Sequence, residues 1–474
     1  MEIKINPKDL LWSYGGHIFS LASGILTLPP ILRHLSPDEI GLNYLFQTIL
    51  AIAVLFDFGF SPQFGRNITY VLGGAQKLQK EGLNLDRDGS NEINLKLLKT
   101  LILAGKRVYA IIASISFIFM LTFGTAYLYK VTGGFTLVKH SIWIWLSLLT
   151  VVSFNIYYNY YNPLLLGKGL IKQNNQILVF TKTIYIGLIF LLIKLDFGLF
   201  SLVIGNFITI VLSRYFANRI FFTKALKSKL YNIKVNTAEI KEVFHTIWHN
   251  ASKLGIILIG GFLITKSGLF LGGLYLSLGE VASYGLTSQL FTIIATFSTL
   301  MFSTYQPRFG YLLVNSKRKE FINEFALSTV VFYFVYLIGT LCLLFIGGFI
   351  LTNVIKSDTI LLGKNLILLY GIVQFLEINH SNFAVIISTG NKIPFVKAGL
   401  FSGIFVLLLI YISLSIFQLG LLGIIVSQGI VQLLYNNWKW PKVVLDDFCL
   451  GYIDFIKIGL HQIFLKILLK KSFI

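Results

Sequence analysis

In the run VQFLEINHSNFA, Gln374, Glu377 and Ser381 recur at i, i+3 and i+7, one face of a helix, with His380 beside them. A carboxylate and an imidazole one turn apart can hold or pass a proton or share a cation; the same residues can equally form a hydrogen-bonded cluster between helices. Two arginines point to a different chemistry. Arg66 follows FDFGFSPQFG and Arg308 follows STYQP, and each guanidinium offers a planar fork of donors that fits phosphate oxygens. Either could also be an ordinary interfacial anchor. Asp57, about two and a half turns before Arg66, is placed to pair with a cation or to cap a helix.

The elements that carry these residues follow from composition. Of 474 residues, 55% are hydrophobic and 13% charged, with a mean hydropathy of +0.76, which describes a polytopic membrane protein. A spanning helix needs about 20 mostly apolar residues. That ruler finds twelve spans, near 11–31, 40–60, 107–129, 142–162, 176–195, 197–218, 251–271, 281–303, 325–350, 361–388, 396–416 and 419–438. The expected fold is all-α, about twelve transmembrane helices in two six-helix bundles, 1–225 and 226–441, followed by an interfacial tail, 442–474. The first apolar run has no small-residue cleavage site after it and is expected to stay as a span. Glu377 then lies about 20 Å along its helix from the outer end, too deep to snorkel. An ionisable group there costs at least about 2.5–3.5 kcal/mol, the mark of a cavity or a partner. His17 and Lys182 lie about 9 Å from the inner ends of their spans, within reach of the interface. The run NIYYNYYNP, Asn155 to Pro163, has side chains that can stack on and bond to sugar rings, but it falls where an aromatic belt is expected.

The net charge of +20 has a membrane explanation. Counted by connection, 32 of the 40 Lys and Arg fall with the N-terminus, the even-numbered connections and the tail. Seven fall in the odd-numbered connections and Lys182 lies within a span, which puts both termini in the cytoplasm and leaves no need for nucleic acid. Trp438 and Trp440, in NNWKWPK, agree as interfacial anchors. The outward connections are short, which disfavours a membrane glycosyl polymerase, since such an enzyme needs a loop to hold its acceptor. Asn84, Asp86, Asp88 and Gly89 match positions 1, 3, 5 and 6 of a calcium loop, but Leu95 stands where position 12 needs Glu, so the segment reads as a polar turn. Cys342 and Cys449 read as packing residues. Walker, HExxH and GxSxG motifs do not occur, so neither a catalytic residue nor a cofactor nor a metal is expected, and the chain is read as a non-enzyme. The tail from Asp446 intersperses lysines with apolar residues, as a helix lying on anionic lipid would.

The chain also repeats itself. Asp38, Gln47 and Arg66 are matched in type and spacing by Glu280, Gln289 and Arg308, all shifted by 242 residues. Two halves in the same topology imply an axis along the membrane normal and a substrate cavity between them, with Gln47 and Gln289 as lining.

The segments FDFGFSPQFGRNI, KEGLNLDRDGSNEIN and LGEVASYGLTSQLF, with the hydrophobic pattern of nearly the whole chain, resemble bacterial oligosaccharide-lipid flippases of the O-antigen and capsule type. That family is part of the multidrug, oligosaccharidyl-lipid and polysaccharide exporter superfamily. The resemblance implies movement of an undecaprenyl-diphosphate-linked sugar unit between leaflets of the inner membrane. Its partners would be that lipid-linked oligosaccharide, membrane lipid and a coupling ion, proton or sodium. A multidrug antiporter of the same superfamily would share the architecture.

Overall fold

The structure, a computed structural model, describes residues 7–79, 93–389 and 394–471. The calcium-like segment from Asn84 lies outside the described residues, apart from its last three positions: Leu95 opens a helix capped by Asn94, whose side chain accepts from the Leu97 N–H.

Two units form. The first comprises residues 1–39 and 45–259, the second 40–44 and 260–474. The helices of the first are α1 (Pro7–His34), α2 (Pro37–Leu55), α3 (Phe60–Leu72), α4 (Leu95–Phe119), α5 (Thr125–Val131), α6 (Ser141–Tyr157), α7 (Tyr161–Gly167), α8 (Ile171–Lys194), α9 (Phe200–Phe221), α10 (Lys224–Tyr231) and most of α11 (Thr237–Tyr275). The second adds α12 (Leu278–Ser298), α13 (Leu300–Val314), α14 (Arg318–Cys342), α15 (Lys364–Thr389), α16 (Val396–Ser415), α17 (Gly420–Leu434), α18 (Asn436–Asp447) and α19 (Tyr452–Lys471). Among the described residues, eight helical segments are long and apolar enough to cross a bilayer, and α12 with α13, bent by 46°, makes a ninth. The other three expected spans fall on α1, α15 and α17, which do not meet that test. α15 is interrupted by polar side chains, and α17 is only 15 residues long.

The internal repeat is visible helix by helix. α2 and α12 both begin with a capping box, Ser36 with Glu39 and Ser277 with Glu280, in which each Glu also accepts from the N-cap N–H at 2.9 Å. α4 and α14 are both 25 residues long, and each runs into a five-residue π-helical segment, Met120–Gly124 and Leu343–Gly347. A π segment inside a helix is uncommon enough that its recurrence at matched positions marks common architecture.

These landmarks correct the register read from sequence. The capping boxes align Glu39, not Asp38, with Glu280, a shift of 241 residues. Gln47 and Gln289 therefore do not correspond, because one residue turns a helix by about 100°. Arg66 and Arg308 do not correspond either. A four-residue turn separates α2 from α3, but a single residue separates α12 from α13, so Arg66 is the seventh residue of its helix and Arg308 the ninth. A charge count by connection misplaces two cations: Arg214 lies inside α9 and Lys266 inside α11.

The segment joining the two sets of helices is pinned to α4. Leu230, Ile240, Val243 and Ile247 are buried. The Lys99 ammonium donates to the carbonyls of Leu230 (2.7 Å), Tyr231 (3.3 Å) and Ile233 (2.7 Å), closing the C-terminus of α10. One turn earlier Lys96 pairs with Glu239 at 2.5 Å, and Glu239 also accepts from the Asn236 N–H. Both contacts hold the Glu239 carboxyl below its ordinary range, Lys96 first. A lowered carboxyl stabilises above its unfolded value and loses that contribution as pH falls through the folded one. Amide protection at residues 236–243, taken relative to the intrinsic exchange rate at each pH, is therefore expected to fall as pH drops below the usual glutamate range, and Glu239→Gln should flatten that fall.

In the second unit the core is aromatic. Phe309, Phe321, Phe325, Phe383 and Phe455 are fully buried in one cluster with Trp440 and Phe448. Phe455 brings α19 onto α14, where Gly459 meets the Ala326 backbone. The tail is thus docked along one side, while Ile453, Leu460 and Phe464 stay exposed. Cys342 and Cys449 are free thiols.

Candidate functional site

Each unit encloses a buried polar cluster. In the first, α3 packs against α7 so closely that a Cβ on Gly167 would stand 2.6 Å from the Gly65 carbonyl. This seats the run NIYYNYYNP inside the bundle. Its asparagines, 155, 159 and 162, follow i, i+4 and i+7, and their carbonyl oxygens converge on Arg214 of α9. Nη1 donates to Asn162 (2.9 Å), and Nη2 to Asn155 (2.7 Å) and Asn159 (3.4 Å). Arg214 is only 8% exposed, and its Nε is buried without a partner. No carboxylate pairs with it among the described residues. The guanidinium is therefore a fixed positive charge held by neutral amides. Tyr109, whose hydroxyl is buried without a hydrogen bond among the described residues, lies near both Asn159 and Asp57. Asp57 Oδ2 accepts from the Ser61 N–H (3.2 Å), capping α3, while Oδ1 is buried with no hydrogen bond. Lys182, half-buried on α8, lies 5.4 Å from the Tyr185 ring.

In the second unit, Glu377 and His380 meet at 3.8 Å, with side chains 17% and 9% exposed. His380 Nδ1 donates to Asn437 Oδ1 at 2.8 Å. At 3.8 Å the Nε2 and the carboxylate oxygen are within reach of an ion pair but beyond direct hydrogen-bond distance. Glu377 Oε2 has no hydrogen bond, and the amide nitrogens of Asn382, Gln428 and Gln432 are likewise buried and unpartnered. Asn436 extends the cluster, donating to Gln432 (2.7 Å) and Ser402 (2.9 Å) and accepting from Trp440 (2.9 Å). Ser381, expected on the same face as Glu377, is exposed, and Gln374 is half-buried.

The remaining sequence candidates are dispersed. Arg66 is exposed, its guanidinium 5.9 Å from the Tyr70 ring, with no carboxylate partner among the described residues. Arg308 is already engaged: its Nε donates to both oxygens of Glu324 at 2.8 and 2.7 Å. Gln47 is exposed, and Gln289, in the second unit, accepts from the Tyr44 hydroxyl of that unit at 2.6 Å. His17 lies on α1, but its side chain is outside the described residues. Sequence reasoning missed Arg214, counted as a loop charge, and Asn437. The signals were present in the asparagine spacing and in the polar stripe Ser427, Gln428, Gln432, Asn436.

This multi-pass helical chain, with a buried polar cluster in each unit, shares its fold with solved transporters. It is similar to an inward-facing multidrug resistance MATE family transporter of the multidrug, oligosaccharidyl-lipid and polysaccharide superfamily, at 12% identity and a TM-score of 0.62, covering 90% of this chain and 94% of that one. It is also similar to the lipid II flippase MurJ in an inward closed conformation, at 15% identity and a TM-score of 0.58, covering 96% and 92%. An outward-facing MATE transporter matches at 16% identity and a TM-score of 0.52, covering 92% and 94%. No family model and no curated protein matches the sequence.

Proposed function

We propose that the chain is a flippase of the bacterial inner membrane. It would carry an undecaprenyl-diphosphate-linked oligosaccharide unit from the cytoplasmic to the outer leaflet by alternating access, for surface polysaccharide assembly, with both termini cytoplasmic. The observation that carries this reading is the likeness to the lipid II flippase MurJ over 96% of the chain. The physical task supports it, since a diphosphate and several sugars cannot cross hydrocarbon without polar partners at depth. Arg214 with its asparagines supplies donors and charge inside one unit, and Glu377 with His380 a proton-binding group in the other, for coupling to a proton or cation. Asp57, Lys182, His17, Gln47, Gln289 and Gln374 are assigned to the path around them. The likeness to MATE transporters favours a multidrug or cation antiporter as the second reading. A glycosyl polymerase is disfavoured by the two- to nine-residue connections on the proposed outer side.

Inactivating the gene and recovering lipid-linked glycans tests the proposal. Accumulation on the cytoplasmic face is expected. Unpolymerised units on the outer face would point to a polymerase, and loss of drug efflux alone to an antiporter.

Arg66 is assigned to capture the diphosphate, because its charge has no carboxylate partner among the described residues, whereas that of Arg308 is paired with Glu324 through Nε. Losing a charge-assisted phosphate contact removes about 1.5–3 kcal/mol. Arg66→Ala is therefore expected to lower export about tenfold at limiting substrate, with Lys restoring part of it. Arg308→Ala should cost less, and its effect should fall further in Glu324→Gln. Unchanged export by Arg66→Ala at matched expression would end the capture assignment.

A further inference from the structure

Between α16 and α17 of the second unit runs a groove of about 790 Å³, and its polarity is graded from one end to the other. Lys397, Ser402 and Tyr435 line one end; Phe405, Leu408, Ile412 and Ile430 line the rest. Tyr435 packs its ring against Trp438 and Trp440, an aromatic group of the kind that settles at headgroup depth. From Lys397 to Ile412 the groove follows α16 for about 22 Å, more than the roughly 15 Å of hydrocarbon in one leaflet. Cation, hydroxyls and apolar wall therefore succeed one another in the order of a lipid's phosphate, ester and chain.

We infer that this groove is a binding site for one anionic phospholipid. Among the described residues Lys397 is the only charged one lining it, and it matches the single charge of a phosphodiester. A diphosphate would leave charge uncompensated. Ser402 accepts from Asn436 (2.9 Å), so its own proton remains to donate, and the Tyr435 hydroxyl is a second donor. These donors suit the ester carbonyls of a glycerolipid, groups that a prenyl carrier lacks. Through Asn436 and Gln432 the floor of the groove also borders the polar cluster of this unit. The site does not depend on which substrate is carried.

Native mass spectrometry of the full chain in mild detergent tests this, with phosphatidylglycerol, phosphatidylethanolamine and undecaprenyl phosphate as probes. About one phosphatidylglycerol per chain is expected to survive delipidation, with about tenfold weaker retention in Lys397→Gln. Leu408→Trp, at a residue 49% exposed and so outside the packed core, should fill the groove and displace the lipid. Equal retention of the two phospholipids, stronger retention of undecaprenyl phosphate, or unchanged binding in both variants would overturn the assignment.

Discussion

Arg214→Met is expected to lower the stability of the first unit by about 2 kcal/mol or more, because it strands the part-buried carbonyls of Asn155 and Asn162 at about 1 kcal/mol or more each, while Asn159 Oδ1 keeps its bond from Asn162 Nδ2. The loss should appear as a lower unfolding midpoint in detergent. Arg214→Lys should recover little of it, since one ammonium cannot reach acceptors spread across the fork that now bonds Asn155, Asn159 and Asn162. A second variant separates architecture from transport. Replacing Arg214 by Met and all three asparagines by Leu removes the buried charge together with its partners, a change that is often neutral or stabilising. That variant is expected to fold and to have lost export. Normal export from it would reduce Arg214 to a structural tie.

How far the sequence reveals this molecule depends on which property is periodic. Apolar runs of about 20 residues are set by bilayer thickness, so the spans and the break between α11 and α12 could be read directly. The repeat was legible as a relation but not in register. Single polar residues such as Asp38 and Gln47 can be matched at either of two neighbouring shifts, whereas the Ser-x-x-Glu box, a motif with its own hydrogen bonds, admits one. Glu377 stood out because a carboxylate in an apolar span is costly. Arg214 did not, because seven residues from the end of α9 it is near enough to the basic run of the following connection to be counted with it. Only packing shows that it turns inward to the asparagines. Arg308 errs the other way: its sequence context promised an unpaired guanidinium, and a carboxylate 16 residues on pairs with it through Nε.

Glu377→Gln separates a proton-coupling group from a structural one. The amide keeps size and hydrogen bonding but cannot share a proton with His380, whose Nε2 faces it. If the pair sets the balance between inward- and outward-open states, removing the titratable oxygen fixes that balance at all pH values. Export by the variant is then expected to be independent of pH and at least about tenfold below the wild-type maximum, the equivalent of one pK unit in a two-state equilibrium. Asn437→Ala is the companion variant. It leaves both titratable groups in place but releases His380 Nδ1 from its 2.8 Å bond, so it should displace the pH profile without flattening it. A purely structural cluster predicts the opposite pattern: both variants lower the unfolding midpoint, and the protein that remains folded exports with the wild-type pH profile. Measuring midpoint and export together across pH therefore decides between them, and a wild-type profile in Glu377→Gln would remove Glu377 from the coupling machinery.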